Sequence, residues 1–177
     1  MSTSAEIPTT RLLVNIGVFQ AGWFACVLGA ARGQAWLGLL VAVVVAAGWI
    51  MVAPRPRALA WLIALTGVLG LCWDSWVSVL GLVSYAPGPL TPPLAPPWIL
   101  ALWILFATTL NVSLRWLQPR LLTAAILGAI AAPLSYYAGA RLGAVTLLHL
   151  QPALWAQAAG WALLLPLLLL LARRLHV

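Results

Sequence analysis

One carboxylate of this chain is predicted to lie at membrane depth. Asp74 stands in the stretch Cys72-Trp73-Asp74-Ser75-Trp76, inside an apolar run that starts at Ala58. A helical rise of ~1.5 Å per residue places it about 24 Å above Ala58, in the outer half of a bilayer. Charged groups at such depth normally face a bundle interior or a cavity. Asp74 is therefore a candidate general acid or base, or a site for a proton or a cation.

A second polar cluster is predicted at the same level. The rise per residue from Leu121 places Ser135, Tyr136 and Tyr137 about 21–24 Å up the next helix but one, so we expect Tyr136 to meet Asp74. These two residues are the predicted catalytic pair. The predicted substrate-binding residues are Ser135, Arg141, Trp73, Trp76 and His149. Alternatives stay open: Asp74 is a buried packing anchor that caps a helix end or pairs with Arg141, or the tyrosines are interfacial belt residues.

A polar stripe marks the opposite half of the bundle. Thr108, Asn111 and Arg115 follow each other at helical spacings of three and four, and Asn15 and Gln20 lie in the first apolar run. Hydrogen bonding between helices, worth about 1 kcal/mol per bond in membranes, is the simplest role for such residues.

No metal or cofactor is expected. Cys26 and Cys72 lie apart inside apolar runs, and His149 and His176 cannot form a recognisable metal site. The chain lacks a Walker A loop, HExxH, GxSxG and a dinucleotide fingerprint. Any chemistry must come from the few polar groups within the membrane.

The composition identifies the elements that must hold these residues. Of 177 residues, 64% are hydrophobic and 6% charged, which excludes both a soluble fold and disorder. The net charge of +7 comes from arginines at the ends of apolar runs, so it indicates membrane topology rather than nucleic-acid binding. Lipid is therefore the predicted environment.

We predict one integral membrane domain over residues 1–177, an all-α bundle of six transmembrane helices. A span needs about 20 mainly apolar residues. The predicted spans are 12–31, 35–53, 58–83, 98–117, 121–140 and 153–172. Residues 84–97 are rich in proline and form a predicted outer loop, and Val145 to Gln151 is predicted as a surface turn or a helix extension. Among the tryptophans, Trp98 is a predicted interfacial anchor, whereas Trp23 and Trp103 lie deeper.

The arginines predict the orientation. Seven lie at one set of span ends (Arg11, Arg55, Arg57, Arg115, Arg120, Arg173 and Arg174), and only Arg32 and Arg141 lie at the other. The positive-inside rule then predicts that both termini lie in the cytoplasm.

Two segments resemble a known family. They are Pro97-Trp98 through Asn111-Val112-Ser113-Leu114-Arg115-Trp116-Leu117, and Gly128-Ala129 through Ala132-Pro133-Leu134-Ser135-Tyr136-Tyr137-Ala138-Gly139-Ala140-Arg141-Leu142-Gly143-Ala144. Together with Asn15 to Trp23 and Asp74, they resemble a bacterial inner-membrane family classified as a domain of unknown function. The resemblance implies a small multi-pass protein and gives no catalytic residue.

Three functions follow as hypotheses. The first is binding or modification of a lipid-like molecule, such as a fatty acid, at a polar pocket in the outer half of the bilayer. The second is a small proton-coupled transporter or permease that uses Asp74 as its proton site. The third is a non-catalytic scaffold subunit. The sequence does not decide between an enzyme and a binding protein, and it favours no nucleic-acid partner.

Overall fold

The computed structural model describes residues 7–88 and 93–175, which fold into six α-helices and one short two-stranded sheet. The helices are α1 (Thr9–Ala31), α2 (Trp36–Met51), α3 (Pro56–Val79), α4 (Pro97–Ala107), α5 (Leu121–Arg141) and α6 (Leu150–Arg174). The strands are β1 (Val83–Tyr85) and β2 (Val145–Leu147), and a 3₁₀ turn covers Arg115–Leu117.

Four helices are long and apolar enough to cross a membrane: α1, α3, α5 and α6, with 23, 24, 21 and 25 residues. The other two, α2 and α4, have 16 and 11 residues. The all-α architecture is thus confirmed for the described residues. Many large apolar side chains on these helices face outward, as expected where the surroundings are acyl chains rather than water.

The predicted span 98–117 is wrong as a continuous helix. Helix α4 ends at Ala107, and turns replace it up to the 3₁₀ segment. The hydroxyls of Thr108 and Thr109 each bond a carbonyl three residues earlier, which competes with the helical ladder. Irregular backbone at membrane depth is tolerated only where protein covers it. Thr108, Thr109 and Leu110 are accordingly buried.

The sheet corrects two further boundaries. Helix α3 ends at Val79, not at 83, and the loop predicted to start at 84 begins instead with β1. Strand β2 occupies the segment predicted as a surface turn or helix extension, and pairs with β1 in antiparallel register, Ser84 opposite Thr146. The predicted outer loop at 84–97 also covers residues 89–92, which lie outside the described residues.

Each strand follows its helix through a tight turn of the same kind. Gly81 and Gly143 have φ angles of 69° and 87° at these turns, a left-handed conformation that glycine adopts without steric cost. The two turns bring the ends of α3 and α5 together. They therefore set the position of Asp74 and Tyr136, each of which precedes the end of its helix by five residues.

The helices pack as two groups around a central space. Helix α1 packs on α2 and α4, and α4 also packs on α3, whereas α5 packs mainly on α6 and β2. Helix α3 contacts both α4 and α6 and so joins the groups. On the far side, α1 and α5 are linked by one side-chain hydrogen bond, from the Trp23 indole to the Ser135 hydroxyl at 3.1 Å.

Candidate functional site

Asp74 is the centre of a buried hydrogen-bonded cluster, and its side chain is 0% exposed. The hydroxyls of Tyr85 and Tyr136 both donate to its Oδ1, the Tyr85 bond measuring 2.5 Å. The indole Nε1 of Trp103 donates to its Oδ2 at 2.6 Å. We call these four residues the Asp74 cluster. The predicted meeting of Asp74 and Tyr136 is confirmed.

Four different elements position the cluster. Asp74 lies on α3, Tyr85 on β1, Trp103 on α4 and Tyr136 on α5. Val83 and Tyr85 are both buried because alternate residues of a strand face the same side. Trp103 reaches Asp74 because residue 70 of α3 is glycine: a Cβ at Gly70 would overlap the Trp103 ring.

The three donors suit an ionised carboxylate. An ionised carboxyl group only accepts hydrogen bonds, and each of its oxygens here accepts at least one. Burial raises the pKa of Tyr85 well above its ordinary value, and the adjacent Asp74 carboxylate raises it further. The Tyr85 hydroxyl therefore keeps its proton and remains a donor at neutral pH.

The cluster forms one wall of a partly open cavity with a volume of about 100 Å³. Fifteen described residues line it, of which eight are aromatic: Phe19, Trp23, Tyr85, Trp98, Trp103, Phe106, Tyr136 and Trp161. Trp103 and Trp161 stack with their ring centroids 4.7 Å apart. We call this space the aromatic cavity. It lies between the two helix groups, next to the Trp23–Ser135 bond.

Two buried donors on α6 flank the cluster. The Gln157 side chain is 0% exposed, and its Oε1 accepts from the Trp73 indole at 3.0 Å. Its Nε2 has no hydrogen-bond partner among the described residues, nor has Nε1 of Trp161 one helical turn further on. Buried polar groups are normally paired, so two such donors in one region are notable.

The structure brings only part of the predicted binding set to Asp74. Ser135 lines the aromatic cavity. The Trp73 indole does not reach Asp74 but donates to Gln157, which flanks the cluster. Trp76 is 53% exposed on the other face of α3. Arg141 and His149 are exposed and do not line the cavity, so the alternative pairing of Asp74 with Arg141 is not formed.

Sequence reasoning missed Tyr85 and assigned Trp98 to the interface, although Trp98 is buried and its indole donates to the Ala86 carbonyl at 2.7 Å. A signal was present. The segments Leu80-Gly81-Leu82-Val83 and Leu142-Gly143-Ala144-Val145 share the pattern Leu-Gly-X-Val at the ends of two apolar runs. That repeated turn marks the paired strands and places Tyr85 beside Asp74.

The polar stripe lies near the other end of the bundle. Asn15 is fully buried: its Nδ2 donates to the Thr108 carbonyl, and its Oδ1 accepts from the Ser113 hydroxyl. Thr108, Asn111 and Arg115 line a second cavity together with Arg11, which lies over the Trp49 ring. Gln20 is exposed on α1. The expected interhelical role is thus confirmed for Asn15.

Fold and site together define a polytopic helical membrane protein with a buried acidic cluster beside an aromatic cavity. The chain belongs to the family described as "Protein of unknown function (DUF2878)", whose family model matches residues 12–167. This match confirms the resemblance drawn from the sequence. No curated protein and no solved structure matches the chain.

Proposed function

We propose that the protein binds a lipid-like amphiphile in the aromatic cavity, with the polar group of the ligand at the Asp74 cluster. The observation that carries this proposal is the position of a buried carboxylate in the wall of a cavity that is otherwise mostly apolar. Such a site combines a large apolar contact area with a few polar groups that fix the orientation of the ligand.

The packing of the helices supports entry from the bilayer. The aromatic cavity is bordered by α1 and α5, which are joined at the Trp23–Ser135 hydrogen bond instead of packing along their lengths. An amphiphile moving sideways from the lipid would meet this bond first. The proposed site lies in the outer half of the bilayer, because the arginine distribution places the Asp74 end of the bundle outside.

The cluster also suits chemistry on a bound molecule, since Asp74 and Tyr136 share a hydrogen bond beside the cavity. A carboxylate could accept a proton from the ligand, and a tyrosine could donate one. Binding is nevertheless the step that the geometry supports first. Modification of the ligand would require this binding.

Native mass spectrometry of the purified protein tests the proposal. Ser135→Phe places a ring at the cavity wall, and Leu134→Phe places the same ring on the adjacent, 63% exposed position of α5. We expect a bound small-molecule adduct in the wild type and in Leu134→Phe, and its loss in Ser135→Phe. An adduct of equal abundance in all three proteins, or none in the wild type, would overturn the proposal.

A further inference from the structure

We infer that the aromatic cavity selects amphiphiles whose polar group is an organic cation, such as a quaternary ammonium or a protonated amine; this inference rests on the proposed function. It concerns the charge of the ligand, which the proposed function leaves open. The observations that carry it are the charge balance of the site and the chemistry of its walls.

When Asp74 is ionised, its carboxylate has no counter-charge among the described residues that line the cavity. Its three donors, Tyr85, Tyr136 and Trp103, are all neutral. Neutral donors disperse a negative charge without cancelling it. No arginine, lysine or histidine is among the fifteen described residues that line the cavity. Ionised groups at membrane depth normally pair with a partner of opposite charge. A cationic ligand would supply that partner.

The walls of the aromatic cavity also favour a cationic ligand. The aromatic face carries negative electrostatic potential, and tryptophan attracts cations most strongly. Trp23, Trp98, Trp103 and Trp161 all line the cavity. Because Trp103 contacts the carboxylate through its indole nitrogen and stacks on Trp161, charge recognition and aromatic surface are adjacent. A carboxylate surrounded by aromatic rings is suited to an alkylammonium group.

The same arrangement disfavours anions. A fatty-acid carboxylate or a phosphate in the cavity would lie near Asp74, and two like charges in an apolar site repel strongly. Arg141, a predicted substrate-binding residue and the cation nearest in sequence to Tyr136, is exposed and does not line the cavity. The site therefore favours cationic over neutral amphiphiles, and neutral over anionic ones.

Photocrosslinking with three probes tests this order. The probes share one alkyl chain that bears a diazirine and differ only in the polar group: trimethylammonium, hydroxyl or carboxylate. The intact protein in lipid nanodiscs is labelled with each, and mass spectrometry locates the label. Cavity residues such as Ile99 and Leu102 report specific binding, and the exposed Val43 of α2 reports non-specific labelling.

We expect half-maximal cavity labelling by the ammonium probe at a concentration roughly tenfold lower than for the hydroxyl probe, a difference of about 1.4 kcal/mol. Asp74→Asn should abolish this difference. Equal labelling by all three probes, or preference for the carboxylate, would overturn the cation assignment while leaving the proposed function intact. Cavity labelling no greater than at Val43 for every probe would overturn both. Because the comparison of probes uses the wild type, it holds even if Asp74→Asn does not fold.

Discussion

At the scale of single residues, Asp74 shows how a carboxylate is held among apolar helices. Two hydroxyls and one indole supply the hydrogen bonds that water would otherwise give, and each comes from a different element. Bonds to an ionised group are stronger than those between neutral groups. The cluster therefore links α3, α4, α5 and β1 through one side chain.

Removing one donor measures the strength of this link. Tyr136→Phe deletes the hydroxyl that bonds Asp74, and Tyr137→Phe deletes the hydroxyl of a neighbour that is 45% exposed. We expect Tyr136→Phe to lower the free energy of unfolding by about 1–2 kcal/mol and Tyr137→Phe to leave it almost unchanged. Unfolding in SDS, followed by circular dichroism, provides the measurement. Equal effects of the two substitutions would contradict the cluster.

Sequence reasoning reached part of this cluster. Asp74 and Tyr136 lie on helices, where a constant rise per residue gives their depth, so their contact could be predicted. Tyr85 lies beyond the end of a helix, in a strand whose partner, β2, is about 60 residues away in the chain. The periodicity of a sequence predicts the depth of residues on a helix, but it does not predict which distant segments pair as strands. Trp103 was recognised as deep, but its partner could not be known without the packing of α3 on α4.

At the scale of elements, the interruption of α4 depends on a side chain from another helix. Asn15 of α1 bonds the Thr108 carbonyl at 3.1 Å and also accepts from the backbone nitrogen and hydroxyl of Ser113. These bonds replace part of the helical ladder that the turns have lost. The sequence pattern predicts an interhelical role for Asn15. It also predicts a continuous helix through the interruption of α4, because the residues after Ala107 remain mainly apolar.

Substitution of Asn15 should therefore destabilise the bundle. We expect Asn15→Ala to lower the free energy of unfolding by about 1–3 kcal/mol, because it leaves buried backbone groups of the interrupted segment unpaired. Gln20→Ala, on an exposed position of the same helix, is the matched control. The same assay applies to both, and an equally small effect of the two would show that the turns do not need the Asn15 side chain.

The approach of α3 to α4 should be just as sensitive. A methyl group at Gly70 would overlap the Trp103 ring, whereas one at Gly48 of α2 would meet nothing within 4 Å. We expect Gly70→Ala to cost about 1–3 kcal/mol by overpacking, and to displace Trp103 from Asp74. Gly48→Ala should be neutral or slightly stabilising. Unchanged stability in Gly70→Ala would contradict the described packing.

At the scale of the whole molecule, the arginines mark two ends. Arg11 and Arg115 line one cavity, at the end where α1 begins. At the opposite end, Gly143, two residues after Arg141, lies beside Ala31, which precedes Arg32. The separation inferred from the sequence therefore agrees with the fold for these four arginines. The positive-inside rule predicts that the arginine-rich end of the molecule faces the cytoplasm.

This orientation has a direct test. A reporter that works only in the cytoplasm should be active when fused to either terminus, and a reporter that works only in the periplasm should be inactive there. The reason is that seven of the nine arginines are assigned to the cytoplasmic side. A cysteine introduced at Ser84 of β1, which is exposed near the Asp74 end, should react with a membrane-impermeant reagent added outside. Labelling from the cytoplasmic side alone would reverse the topology.

The central claim is that the aromatic cavity holds a molecule from the membrane with its polar group at Asp74. An experimental structure of the protein in lipid nanodiscs tests it most directly. We predict elongated density that enters between α1 and α5 and ends within hydrogen-bonding or ion-pairing distance of the Asp74 carboxylate. Side chains that fill this space, or lipid density only on the outer faces of the helices, would contradict the claim.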